Sequence, residues 1–190
     1  GFAHGIPPDP TNRRWRSALM TLDVPSGKVS EVSITGIQNA NVRGVAWAGS
    51  GKDIVFGANG RIWMVPSSGG LAKPITEESI RAQGPSLSID GRRVAYFAPD
   101  TSGRTQIWVR ELTDGAQPVK LTDHTDVTAT RVRWLPDGKE LLYSADGRLG
   151  RVAETGGKPK EIPFTADLAI TRPRPALPAA RCPEARRPEV

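Results

Sequence analysis

The sequence predicts an all-β chain, a partial β-propeller of about three and a half four-stranded antiparallel blades, on three observations. Gly (20) and Pro (17) make up about a fifth of the 190 residues, so many short elements must be joined by tight turns. A strand–turn–strand unit recurs with its turn glycines, Gly51, Gly91 and Gly138, 40 and 47 residues apart, a spacing that suits a blade. Large apolar and polar residues alternate within the short runs, which puts one face of each strand inside. A lone four-stranded sheet cannot cover both its faces, whereas sheets stacked side by side around an axis bury one another.

The elements follow in chain order. Residues 1–14 read as an irregular lead rich in Pro, without the basic start and apolar centre of a signal peptide and without a starting Met, as in a trimmed chain or a fragment. Residues 15–36 read as a half blade: a strand over Ser17–Asp23, a turn at Val24-Pro25-Ser26-Gly27-Lys28 and an outer strand over Val29–Val32. Three whole blades follow at 42–78, 83–123 and 130–166. Their opening hairpins are Val45–Phe56, Pro85–Tyr96 and Val132–Tyr143, each with a large apolar residue, a turn, a basic residue and a second apolar strand. Asp-Gly and Gly-Gly allow the positive φ angles that two-residue hairpins need.

The second half of the unit repeats as well. Arg61-Ile62-Trp63-Met64-Val65 matches Gln106-Ile107-Trp108-Val109-Arg110, and Arg148-Leu149-Gly150-Arg151-Val152 is a weaker copy with Gly150 where the others have Trp. A turn and a short strand ending near Thr76, Thr122 and Thr165 close each unit. Trp47, Trp63, Trp108 and Trp134 recur at repeat positions, which argues for packing between blades rather than a ligand surface; Trp15 lies outside the pattern. Residues 169–190 carry Pro and Arg with no apolar period and read as a disordered tail.

The net charge is +6, of which +3 comes from five Arg against two Glu in residues 171–190. The body is only mildly basic, with acids and bases interspersed, unlike a nucleic-acid binder. The single cysteine, Cys182, allows neither an internal disulfide nor a cysteine metal site. No run of 18 apolar residues exists to span a membrane. The two histidines, His4 and His124, form no His-x-His or His-Glu-x-x-His pattern, so no metal or other cofactor is expected to be held by this chain. Gly84-Pro85-Ser86-Leu87-Ser88 lacks the last glycine of a nucleophile elbow, and Gly49-Ser50-Gly51-Lys52 is too short for a phosphate loop. No catalytic residues are therefore assigned. Asp90 and Asp137 sit in Asp-Gly turns, which points to a structural role over calcium binding. The densest polar cluster, Asp123-His124-Thr125-Asp126, is expected in a loop leading from an outer strand toward the next inner strand. Its candidate residues for a channel-mouth binding loop are Asp123, His124 and Asp126, against the plainer reading of a solvated turn.

Trp134-Leu135-Pro136-Asp137-Gly138-Lys139, with Ile107-Trp108-Val109 and Leu121-Thr122 supplying the later strands, resembles the repeat of the TolB-like, WD40-like propeller family over residues 15–168. The copies at Ala48–Lys52 and Ser88–Arg92 depart from the Pro-Asp-Gly-Lys form. Gly156–Asp167 is similar to the last propeller repeat of bacterial proteins in which such a propeller precedes an amidohydrolase domain. The resemblance implies a periplasmic or secreted setting. It also implies a protein or peptide partner, or a hydrolase domain beyond this chain, with the propeller as an interaction or substrate-gating module. A stand-alone envelope adaptor that binds other proteins is the alternative.

Overall fold

The computed structural model describes residues 3–6, 16–38, 40–49, 51–125, 131–145 and 147–165. Among them there is no helix. The first sheet has the order β1 (Ala3–Ile6), β2 (Arg16–Leu22), β3 (Val29–Val32). A short strand β4 (Ile34–Thr35) follows. The second sheet runs β5 (Arg43–Trp47), β6 (Asp53–Ala58), β7 (Arg61–Pro66), β9 (Lys73–Pro74), with β8 (Gly70–Leu71) beside it. The third runs β10 (Gln83–Leu87), β11 (Arg93–Pro99), β12 (Thr105–Glu111), β13 (Val119–Lys120). The fourth runs β14 (Val132–Trp134), β15 (Glu140–Ala145), β16 (Arg148–Ala153), β17 (Lys160–Ile162). Neighbours within these four sheets are antiparallel and follow one another along the chain, with only β8 intervening between β7 and β9, so each sheet is an up-and-down blade. Among the described residues the sheets form an open arc and do not close into a ring.

The turns between the first two strands of a blade are longer than the expected two-residue hairpins. Leu135 N–H donates to Glu140 C=O at 2.8 Å and Gly138 N–H donates to Leu135 C=O at 2.9 Å, which leaves four residues in the loop. The glycine takes φ 66° at its end, as in a type I turn followed by a left-handed residue. Ser88–Arg93 and Ala48–Asp53 repeat the pattern. The aspartates stabilise these turns: Asp137 accepts from Lys139 N–H at 2.9 Å and Asp90 from Arg92 N–H at 3.1 Å, the structural role expected of them.

Alternation along the second and third strands of each blade sends side chains to both neighbouring sheets. Ile54, Phe56 and Ala58 pack toward Leu19 and Val32 of the first sheet, with Trp63 and Val65 beside them. Val55 and Ile62 pack the other way, against Val94, Tyr96 and Ala98. Ala95, Phe97, Ile107 and Val109 meet Val132, Trp134, Leu141, Tyr143 and Val152 of the fourth sheet. Three seams thus make one continuous stack, each fully buried large side chain contributing about 1.5–3 kcal/mol.

Four features differ from the sequence reading. The lead is not irregular throughout: Ala3–Ile6 pairs with β2 from Ala3↔Leu19 to Ile6↔Arg16, so the half blade has three strands. An unpaired sheet edge recruits whatever extended backbone is near, and no apolar pattern announces such a strand. Second, β4 pairs in parallel with β8, Gly70 N–H donating to Ser33 C=O at 2.8 Å and Ala72 N–H to Thr35 C=O at 3.0 Å. This backbone clip ties the segment leaving the first sheet to the rim of the second. Third, Trp47 does not pack as its repeat partner does. Trp134 is buried and donates from Nε1 to Ser86 C=O at 3.0 Å on the innermost strand of the preceding blade. The first sheet lacks a described strand at that place, and Trp47 is 47% exposed. Fourth, the outward face of the fourth sheet carries an ion pair where the repeat has apolar residues. Arg151 stands where Met64 and Val109 stand in the other blades and pairs with Glu140 at 3.4 Å. Residues 169–190, Trp15 and Asp126 lie outside the described residues.

The turn carboxylates make stability depend on acid. The Ser88 hydroxyl, then the Arg92 amide, holds the Asp90 carboxyl below its ordinary 3.8. The Ser102 hydroxyl does the same for Asp100. Both groups bind fewer protons folded than unfolded, so their stabilisation is complete above pH 3.8 and lost as pH falls through the lowered folded values. Melting temperature should therefore drop in that acid window, and the drop should shrink in Asp90→Asn with Asp100→Asn. An unchanged acid profile in the double variant would exclude these turns as its source.

Candidate functional site

The seam between the third and fourth sheets differs from the other two. In the second blade the Trp63 indole fills the outer part of its seam and donates to Ala58 C=O at 3.0 Å. In the third, Trp108 does the same to Ala98 C=O, also at 3.0 Å. In the fourth the matching residue is Gly150, paired with Tyr143 across β15 and β16. The Tyr143 ring lies over it; a Cβ at position 150 would stand 2.9 Å from Tyr143 Cζ and 3.0 Å from its hydroxyl. With no indole there, a groove of about 570 Å³ opens, lined by His124, Tyr143, Arg148, Gly150, Lys160 and Glu161 among others.

The groove wall is built by a clamp on the loop after β13. The Gln106 side chain is fully buried: its amide Nε2 donates to His124 C=O at 2.8 Å. Its Oε1 accepts from Thr122 Oγ1 at 2.9 Å and from His124 N–H at 3.0 Å. Thr122 Oγ1 in turn accepts from Ile107 N–H at 2.9 Å, the bond that Thr76 makes to Ile62 in the second blade. So fixed, His124 places Nε2 2.7 Å from the Tyr143 hydroxyl, with ring centroids 5.5 Å apart. Across the opening, Arg148 and Glu161 pair at 2.8 Å.

The residues expected from sequence are thus split. His124 lines the groove, at the seam beside the outermost strand of the third blade. Asp123 is exposed and pairs with Lys120 at 3.2 Å, a plain surface contact. Asp126 lies outside the described residues. Sequence reading passed over Gln106, Tyr143, Arg148, Lys160 and Glu161. The one available signal was Gly150 breaking the Trp repeat.

A second concavity faces the axis of the arc and is formed by the innermost strands β5, β10 and β14. It measures about 990 Å³ and is lined by Arg43, Arg131 and Arg133, all exposed, with Asn41 and Gln83. No carboxylate is among its described lining residues. Among the described residues no three His, Cys, Asp or Glu side chains group so as to hold a metal ion.

Radially stacked antiparallel blades with an axial concavity define a β-propeller segment. Its fold is TolB-like. An Agrobacterium tumefaciens structure described as a TolB matches with a TM-score of 0.67 and 17% identity, covering 80% of this chain and 57% of that one. TolB from Acinetobacter baumannii matches with a TM-score of 0.62 and 22% identity, over 78% of this chain and 38% of that one. The tricorn protease matches with a TM-score of 0.52 and 17% identity, over 83% and 21%. By sequence, tricorn protease homolog 1 of Streptomyces coelicolor is 29% identical over 99 residues, 52% of this chain and 9% of the relative. The chain therefore spans about a tenth of that curated relative and little more than half of the Agrobacterium tumefaciens TolB-type chain. No family model matches the chain.

Proposed function

We propose that this chain is a non-catalytic propeller segment that binds an acidic stretch of a protein or peptide on its axial surface, as an interaction or substrate-gating module of a larger hydrolase. The observation that carries the reading is the axial concavity, which Arg43, Arg131 and Arg133 line with no carboxylate among its described lining residues. Three exposed guanidiniums, Arg43 on β5, Arg133 on β14 and Arg131 just before β14, offer bidentate partners to carboxylates and steer an anionic segment toward the axis. The hydrolase association rests on the likeness to protein chains named as a protease and a protease homolog, each far longer than this one. An amidohydrolase-type parent rests on the resemblance of Gly156–Asp167 alone. The periplasmic or secreted setting rests on the TolB likeness. A stand-alone envelope adaptor is the second reading. It is favoured by the higher TM-scores and larger shares covered in the two TolB-type structures.

Fluorescence anisotropy with a labelled oligoglutamate and a labelled oligolysine tests the reading on the full chain. The acidic probe should bind and the basic one should not. Binding should fall as salt rises through the range where the Debye length shrinks below about 10 Å. Combined Arg43→Ala, Arg131→Ala and Arg133→Ala should weaken it by about tenfold or more. Equal binding of both probes, or peptide or ester hydrolysis that follows the purified chain, would overturn it.

A further inference from the structure

We propose that the seam groove beside Gly150 receives an aromatic side chain, an indole above all, donated by an acidic peptide segment of a partner protein. At two equivalent seams the space is filled by Trp63 and Trp108, each seated with its Nε1–H on the carbonyl of Ala58 or Ala98. At the third seam the residue in that register is Gly150, and the carbonyl in the matching place belongs to Ala145. Tyr143 lies so close over Gly150 that no side chain from position 150 enters the groove without displacing the ring. The groove is therefore shaped by neighbours that elsewhere hold an indole, and it is open to solvent instead.

The chemistry of the lining agrees. The Tyr143 and His124 rings, tilted 57° to one another, give an aromatic floor and wall. Aromatic rings pack on such surfaces edge-to-face or offset. Among the described lining residues Arg148 and Lys160 stand against Glu161, one positive charge in excess at neutral pH. An acidic residue flanking the incoming aromatic complements that excess. Gln106 holds the His124 backbone at both its N–H and its C=O, so the wall is preorganised. This site is separate from the axial arginines, and the two readings stand or fall apart.

The test is calorimetric titration of the full chain with N-acetyl-Glu-Trp-Glu-amide and with the same peptide carrying Ala for Trp. The Trp peptide should bind at least about tenfold more tightly. Gly150→Trp restores the internal filler and should abolish the preference. Should that variant fail to fold, Tyr143→Phe with Gly150→Trp copies the Phe56–Trp63 pair of the second blade. The unmodified chain gives an independent reading. It has two histidines, so the His124 ring protons can be followed by NMR, and the Trp peptide alone should shift them by ring current. Equal affinity for both peptides, an unmoved His124, or a preference that survives in a folded Trp variant would overturn the proposal. Loss of the preference in the axial Arg43, Arg131 and Arg133 variant would do so too, since the peptide would then sit on the axis. Retention of the preference in a chain that ignores oligoglutamate leaves the groove standing and removes the axial reading.

Discussion

Replacing Gly91 by alanine is expected to unfold much of the stack, while the same change at Gly138 is expected to cost only about 1–2 kcal/mol. Both glycines end the same four-residue turn, with φ 64° and 66°, so both variants pay the same left-handed strain. They differ in their surroundings. A Cβ on Gly138 meets nothing within 4 Å. A Cβ on Gly91 overlaps the backbone nitrogen and Cα of Gly49, and a Cβ on Gly49 would overlap the Asp90 carbonyl. Here two successive blades touch turn to turn, with Gly49 N–H donating to Gly91 C=O at 3.3 Å. Backbone cannot yield as a side-chain tip can, so the turns must separate and the seam above them must loosen. We expect Gly91→Ala to cost about 4 kcal/mol or more, in the tail of single-substitution effects. Urea melts of the two variants measure the difference directly. Equal costs would show that the crowding is relieved by local movement and that the turn contact does not hold the second and third blades in place.

Phe97→Ala should be the most damaging ordinary core truncation, at about 3–5 kcal/mol. The ring is fully buried on β11, facing the fourth sheet among Ile107, Val132 and Tyr143. Its removal leaves a hole in the seam that rigid neighbouring strands cannot close, and the lost amount is comparable with the lower range of whole-domain stability. It should also free Tyr143 to move, so the His124–Tyr143 contact should loosen with it. Val24→Ala, on an exposed turn, is the matched control and should stay within about 0.5 kcal/mol. A cost below about 1 kcal/mol for Phe97→Ala would mean that the third and fourth sheets do not share a packed core.

What the sequence made legible follows from physics that acts locally. Turn glycines at Gly51, Gly91 and Gly138 and the short apolar runs Ile54–Ala58, Val94–Ala98 and Leu141–Ala145 report on single hairpins. They led directly to the blades and to the radial stack. What stayed hidden depends on pairing partners chosen in space. Strand β1 has no apolar rhythm of its own, and it exists because β2 offers an unpaired edge. The β4–β8 clip involves two residues on each side, too few to leave a pattern. Trp47 and Trp134 are equivalent in the repeat, yet among the described residues only Trp134 has an innermost neighbouring strand to cover it. The groove is legible only as an omission, Gly150 in place of an indole. Its other walls come from Gln106, Thr122 and His124 on a different blade, which no local motif connects. The sequence reading chose His124 for its polar neighbours. In the structure His124 lies against Tyr143 and Asp123 pairs with Lys120 at the surface.

A repetitive architecture has a numbering problem: what one unit offers, its copies offer as well, and a visitor cannot tell them apart. The single glycine in the register otherwise held by tryptophan resolves the degeneracy. Of three seams related by the same internal pseudo-symmetry, two carry an indole in this register and one does not, so among the described residues the stack presents one such groove, at a defined angular position around its axis. Deleting a side chain, rather than adding one, is what gives this otherwise uniform surface an address.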